Sequence, residues 1–182
     1  MDLNKWFDRG LKPEEYIVQY EDHKDNFHNI LNNFKLPTDE NFFTNLKERN
    51  LRAIVLAEVW CGHCMLNIPI FLKIAEKAQM PVRFLNRDEN LELMDQYLTN
   101  GNRVIPIFIF IDEDGNEVAK WGPMAESTRE FVAPLREKIP AKDDEAYEDR
   151  FREMVTITSR EFSTNEQLWN GVYNSFKSTL SS

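Results

Sequence analysis

Two cysteines separated by two residues, in Trp60-Cys61-Gly62-His63-Cys64, stand between an apolar run and a helical pattern. The run before them, Ala53-Ile54-Val55-Leu56-Ala57, is short and continuous, as a buried parallel strand is. After them Ile68, Phe71, Leu72 and Ala75 share one face of a helix. A strand that runs straight into a helix puts Cys61 at the helix N-terminus and Cys64 one turn in. There, unpaired N–H groups and the helix dipole favour a thiolate on Cys61, while Cys64 is expected to be more buried and slower to react. Such a pair suits a two-step exchange, in which Cys61 attacks a disulfide and Cys64 then attacks the Cys61 sulfur. The competing readings are half of a zinc site, or two inert thiols. Tetrahedral zinc needs four ligands, and beside His63 the chain offers His23 and His28 and no second cysteine pair.

The elements around the motif alternate in type. Pro81-Val82-Arg83-Phe84-Leu85 reads as a second strand, and Asp88 as the cap of a helix carrying Leu91, Leu93, Met94, Tyr97 and Leu98 that closes at Asn100-Gly101. A third strand spans Ile105 to Ile111, a hairpin turn lies at Asp114-Gly115, and a fourth strand runs from Glu117 to Trp121. A helix with Phe131, Val132 and Leu135 ends before Pro140. The order is β-α-β-α-β-β-α. Residues 1–50 form an N-terminal helical extension: one helix starts at Pro13-Glu14-Glu15 and carries Tyr16, Tyr20, Phe27, Ile30, Leu31 and Phe34, and a short one, capped by Thr38, carries Phe42, Phe43 and Leu46. Residues 51–139 form the central domain. Residues 140–182 form a C-terminal helical extension, with Tyr147, Phe151, Met154 and Val155 on one face. Its final helix is capped by Ser163 and Glu166 and bears Leu168, Trp169, Val172, Tyr173, Phe176 and Leu180. The aromatics of both extensions either pack on the central domain or form a surface for a partner.

Charge narrows the partners. With 22 basic and 31 acidic residues the net charge is −9, which repels phosphates, so neither nucleic acid nor an anionic membrane is an expected partner. The first nine residues lack the basic and then apolar pattern of an export signal. A cytoplasmic protein is therefore expected, and in that reducing compartment a structural disulfide is disfavoured. No phosphate loop, metal-ligand cluster or serine triad competes with the cysteine pair, and no cofactor or metal is expected.

The central segment resembles the thioredoxin superfamily over about residues 50–138, and Cys-Gly-His-Cys is similar to the active-site tetrapeptide of protein disulfide isomerase domains. Pro69 stands five residues past Cys64, where the family has a helix proline. Ile105-Pro106 stands 42 residues past Cys64, where the family has its cis-proline loop beside the disulfide, and Gly122 matches a family glycine near the same face. The terminal helices look more like a bacterial thioredoxin-like branch. The resemblance implies a mixed four-stranded α/β sheet flanked by helices. It also implies thiol–disulfide oxidoreductase activity at Cys61 and Cys64. Trp60, Gly62, Ile105, Pro106 and Gly122 would border the substrate, with the Ile105 backbone pairing with an extended segment. Pro106 would be cis; an ordinary trans proline at a strand start is the other reading.

The chain departs from the family in two places. The family's buried carboxylate six residues before the first cysteine is replaced by Val55, and Met65 stands where isomerase domains often have lysine. Glu58 is the nearest carboxylate in sequence: it either accepts the Cys64 proton or is a solvated rim residue. His63, if protonated, would stabilise the Cys61 thiolate; otherwise it is a solvated first-turn residue. The expected partners are a disulfide-containing protein or low-molecular-weight thiol, and a reductase or thiol electron donor. The alternatives are an adaptor that binds through its helical extensions, and a redox sensor in which the disulfide alters their docking.

Overall fold

Short β-branched and aromatic segments build a four-stranded sheet in the order β2-β1-β3-β4, from β1 (Arg52–Ala57), β2 (Val82–Asn86), β3 (Ile107–Ile111) and β4 (Glu117–Trp121). The computed structural model describes residues 2–182. β1 pairs parallel with β2 and antiparallel with β3, and β3 pairs antiparallel with β4, so the sheet is mixed. All five residues of β3, and Ala53 to Ala57 of β1, are buried, as strands covered on both faces must be. Gly115, at φ +84°, turns the chain between β3 and β4, a backbone conformation that favours glycine.

One face is covered by α5 (Gly62–Ala78), whose Phe71 packs on Phe108 and Phe110 with ring centroids 4.8 and 5.7 Å apart. The register pairs Val55 with both Phe84 and Phe108, so all three point to this face. On the other face Phe7 of α1 (Leu3–Arg9) lies under the guanidinium groups of Arg52 and Arg83. Leu11 then bridges to Phe84 on the free edge of β2, and α2 (Pro13–Ile17) crosses to the α5 side.

The terminal helices enter the same core. Phe176 of α9 (Glu166–Leu180) stacks on Trp121 at 4.0 Å and meets Phe108 at 4.9 Å and Phe71 at 5.2 Å. Trp121 Nε1 donates to Ser175 Oγ at 2.8 Å, which satisfies the indole where it is buried. Neighbouring helices are α3 (Lys24–Asn33), α4 (Glu40–Glu48), α7 (Glu126–Arg136) and α8 (Tyr147–Thr164).

Several local expectations are corrected. The single helix from Pro13 to Phe34 is two, α2 and α3, broken over residues 18–23, where the chain turns to bring both Tyr16 and Tyr20 inside. Asp39, not Thr38, caps α4 by accepting the Phe42 N–H, and Asn165, not Ser163, caps α9. Ser163 instead closes α8 from within, donating to the Arg160 carbonyl. The helix expected up to Leu98 is a single turn, α6 (Leu91–Met94). Beyond it Tyr97 donates to Glu117 at 2.6 Å, and Asp95 pairs with Arg103 at 2.6 Å. These bonds draw residues 95–103 into a turn. β3 starts at Ile107, two residues later than expected.

Candidate functional site

The C-terminal edge of β1 opens directly into α5, and Cys61 is the N-cap of that helix. Its sulfur accepts the backbone N–H of Cys64 at 3.4 Å, which meets one of the orphan donors of a helix start. Both cysteines are free, and they approach to 3.2 Å. Cys61 is 8% exposed and Cys64 is fully buried.

The two thiols are electrically unequal. The Cys61 thiol is held below its ordinary range, chiefly by the Cys64 thiol that hydrogen-bonds to it. The backbone N–H groups of Cys64 and His63 and the charge of Arg87 add to this, and burial opposes it. The Cys64 thiol is pushed well above its range by burial, by its hydrogen bond to Cys61 and by the negative charge that Cys61 carries. A thiolate therefore forms on Cys61 first.

The loop before β3 closes the other side. The Ile105–Pro106 peptide is cis, and the Ile105 carbonyl lies 3.8 Å from the Cys61 sulfur, which donates its thiol hydrogen there when protonated. Gly122, at φ +131°, backs this loop; a Cβ there would come within 2.3 Å of the Pro106 carbonyl oxygen. It supports Pro106 from behind, whereas Gly62 opens to free space at the helix start. Trp60 is 55% exposed, its indole covered by the Arg87 guanidinium at 5.0 Å, and His23 Nε2 donates to its carbonyl at 3.2 Å.

Glu58 is buried, and its carboxylate accepts the Asp88 N–H at 2.9 Å. Burial lifts its pKa above the usual carboxylate value. Its backbone N–H favours the Cys64 thiolate while its carboxylate charge opposes it, so Glu58 belongs to the surroundings of Cys64 and is not a solvated rim residue.

His63 requires a correction. Its ring turns away to pack on Phe162 of α8, centroids 5.1 Å apart, with Nδ1 buried and unpartnered. Burial, aided by the charge of Arg136, pulls its pKa down to about 4, so the ring is neutral near pH 7. It is the His63 backbone N–H, not an imidazolium, that favours the Cys61 thiolate.

Sequence reading missed Arg87, although a signal existed. Parallel pairing aligns Ala57 with Asn86, so the residues after each strand emerge side by side, and Arg87 stands beside the Glu58–Cys61 turn. Among the described residues there is no cluster of three or more metal-ligating side chains, and no helix is long and apolar enough to cross a membrane.

A dithiol at a strand–helix junction, facing a cis-proline loop on a β2-β1-β3-β4 sheet, defines a thioredoxin-like site. The thioredoxin family model matches residues 10–142, and the chain belongs to that family. Among solved structures, the chain is similar to a protein of unknown function from Pseudomonas aeruginosa solved at 1.5 Å. The TM-score is 0.65 at 14% identity, over 98% of each chain. It is also similar to an HIV epitope-scaffold, with a TM-score of 0.63 at 13% identity, over 96% of this chain and 94% of the other. At these identities the likeness is one of fold, and it extends through both helical extensions. No curated protein matches the sequence.

Proposed function

We propose that the protein is a thiol–disulfide oxidoreductase working through Cys61 and Cys64. The observation that carries this reading is the split between two adjacent thiols, one lowered at a helix N-cap and one raised by full burial. The Cys61 thiolate attacks a substrate disulfide; one substrate sulfur leaves as a thiolate and the other stays bonded to Cys61. Cys64 then attacks the Cys61 sulfur, the mixed disulfide breaks, and the second substrate thiol departs with the proton that Cys64 gives up. A reductase or low-molecular-weight thiol returns the Cys61–Cys64 disulfide to the dithiol.

Substrate segments fit the surface where Trp60 and the Ile105–Pro106 loop flank Cys61. An extended segment would pair with the Ile105 backbone, as in strand addition. A cytoplasmic setting suits the reading, since a reducing poise resets the dithiol. Steady-state reduction of a protein disulfide with dithiothreitol as donor tests it: turnover is expected for the native chain and none for Cys61→Ser. Undiminished turnover in that variant would end this reading.

A further inference from the structure

A cleft of about 570 Å³ opens beside the cis-proline loop, within the size range of ligand sites. Two of its lining residues tie it to the motif. Val104 precedes Ile105, whose carbonyl lies 3.8 Å from the Cys61 sulfur, and Pro123 follows Gly122, which backs Pro106. Thr99 and Asn102 also line it, and so do Arg129 and Arg136 of α7. One loop thus borders both the attacking sulfur and the cleft.

No carboxylate lines this cleft, in a chain whose net charge is −9. Arg129 pairs with Glu126 at 2.6 Å, but both side chains are mostly exposed, and such a pair is worth little. Arg136 makes no ion pair among the described residues. Its charge reaches the His63 ring, two residues past Cys61. A guanidinium presents its donors in a planar fork that matches a carboxylate. A substrate strand laid on Ile105 passes Val104 on one side of its cysteine, and alternate side chains on one face of a strand stand about 7 Å apart. A residue close to that cysteine in sequence therefore overhangs the cleft. A small free anion would be held by the arginines alone, whereas a polypeptide also gains backbone pairing at Ile105.

We propose that this cleft is a specificity subsite for an acidic side chain of the substrate polypeptide, held by Arg129 and Arg136 while Cys61 attacks the neighbouring disulfide. The proposal rests on the thiol–disulfide exchange reading and adds no step to it. The Cys61 sulfur bonds to one substrate sulfur, the substrate S–S bond breaks, and the other sulfur leaves with the electron pair. The subsite selects which disulfide is presented. Its preference runs against the field of the whole molecule, since a net charge of −9 repels an acidic peptide and attracts a basic one. A local site and the global field thus predict opposite signs.

The test uses the full reduced chain and peptides whose single cysteine is in a disulfide with 2-mercaptoethanol, with Glu, Gln or Lys at the second position on each side. Consumption of each peptide disulfide is followed by chromatography and divided by its rate with dithiothreitol, which removes the peptide's own reactivity. The native chain is expected to favour Glu over Gln about fivefold, the worth of roughly one exposed ion pair, with Lys slowest. Raised salt should erase this preference. Both arginines are exposed on α7, so their replacement leaves its packing in place. In the double variant Arg129→Gln/Arg136→Gln the Glu-to-Gln ratio should fall to about one, and in Arg136→Glu it should invert in favour of Lys. A native chain that treats the peptides alike or favours Lys, or a Glu preference that survives the double variant, overturns the subsite and leaves the exchange reading intact. A chain that consumes none of the peptides overturns the exchange reading. The cleft is then judged by fluorescence anisotropy with labelled peptides in which Ser replaces the cysteine: tighter binding of the Glu peptide to the native chain than to the double variant upholds it, and equal binding overturns it.

Discussion

The Ile105 carbonyl oxygen stands 3.8 Å from the Cys61 sulfur, so the attacking atom and the backbone of the cis-proline loop share one surface. A substrate strand laid on Ile105 would bring its disulfide to Cys61 without reaching Cys64, which is fully buried. Order of attack is thus written into accessibility as well as thiol acidity. Replacing Cys64 by Ser should leave the first attack in place and block resolution. A substrate incubated with that variant should accumulate as a stable mixed disulfide on Cys61, seen as a mass adduct that dithiothreitol removes, and Cys61→Ser should form none.

The acidity of Cys61 has separable sources. In the native dithiol its alkylation midpoint should fall below the ordinary value of about 8.5. Cys64→Ala removes the hydrogen bond from the Cys64 thiol, which favours the thiolate most, and should raise the midpoint most. Arg87→Ala removes only a charge at the edge of the site, and should raise it less. Equal shifts in the two variants would mean that the thiol hydrogen bond does not dominate.

His63 ties stability to acid. Its folded pKa of about 4 lies below the unfolded value near 6.5, so between these values the unfolded chain binds more protons. Stability supported by the neutral ring is present above about pH 6.5 and is lost as pH falls toward 4. Glu58, with its raised carboxyl pKa, acts in the opposite sense, so the comparison that isolates His63 is native against His63→Leu. Chemical denaturation across this window should show the native chain losing about 2 kcal/mol more than the variant on acidification. Parallel curves would contradict the buried neutral ring.

The C-terminal helix carries part of the central core. Phe176 is fully buried against Trp121, Phe108 and Phe71. Phe176→Ala should cost about 3–5 kcal/mol, the usual range for deleting a buried aromatic ring. A loss below about 1 kcal/mol, read from urea melts, would show that α9 folds independently of the sheet.

Much of the fold could be read from apolar pattern. The runs Ala53–Ala57 and Glu117–Trp121 coincide with strands because burial on both faces, or a sharp turn at Asp114-Gly115, leaves a local signature. The short α6 could not be read, because what ends it is long-range: the Tyr97 hydroxyl reaching Glu117 across the sheet edge. The caps misled for a related reason. Thr38 and Asp39, or Ser163 and Asn165, are all competent capping residues, and the path of the entering chain chooses between them. In the site, Cys61 and Cys64 announced themselves by spacing. The side-chain role of His63 did not, because Phe162, 99 residues later in sequence, decides where its ring lies. Tyr16 and Tyr20 read as ordinary core, and both are buried.

The most direct test of the central claim is the reduction potential of the Cys61–Cys64 pair, by equilibration of the full chain against graded dithiothreitol or glutathione buffers. A single reversible two-electron transition between about −270 and −180 mV is expected. A chain that forms no Cys61–Cys64 disulfide across that range, or forms one that no buffer reduces, would contradict it.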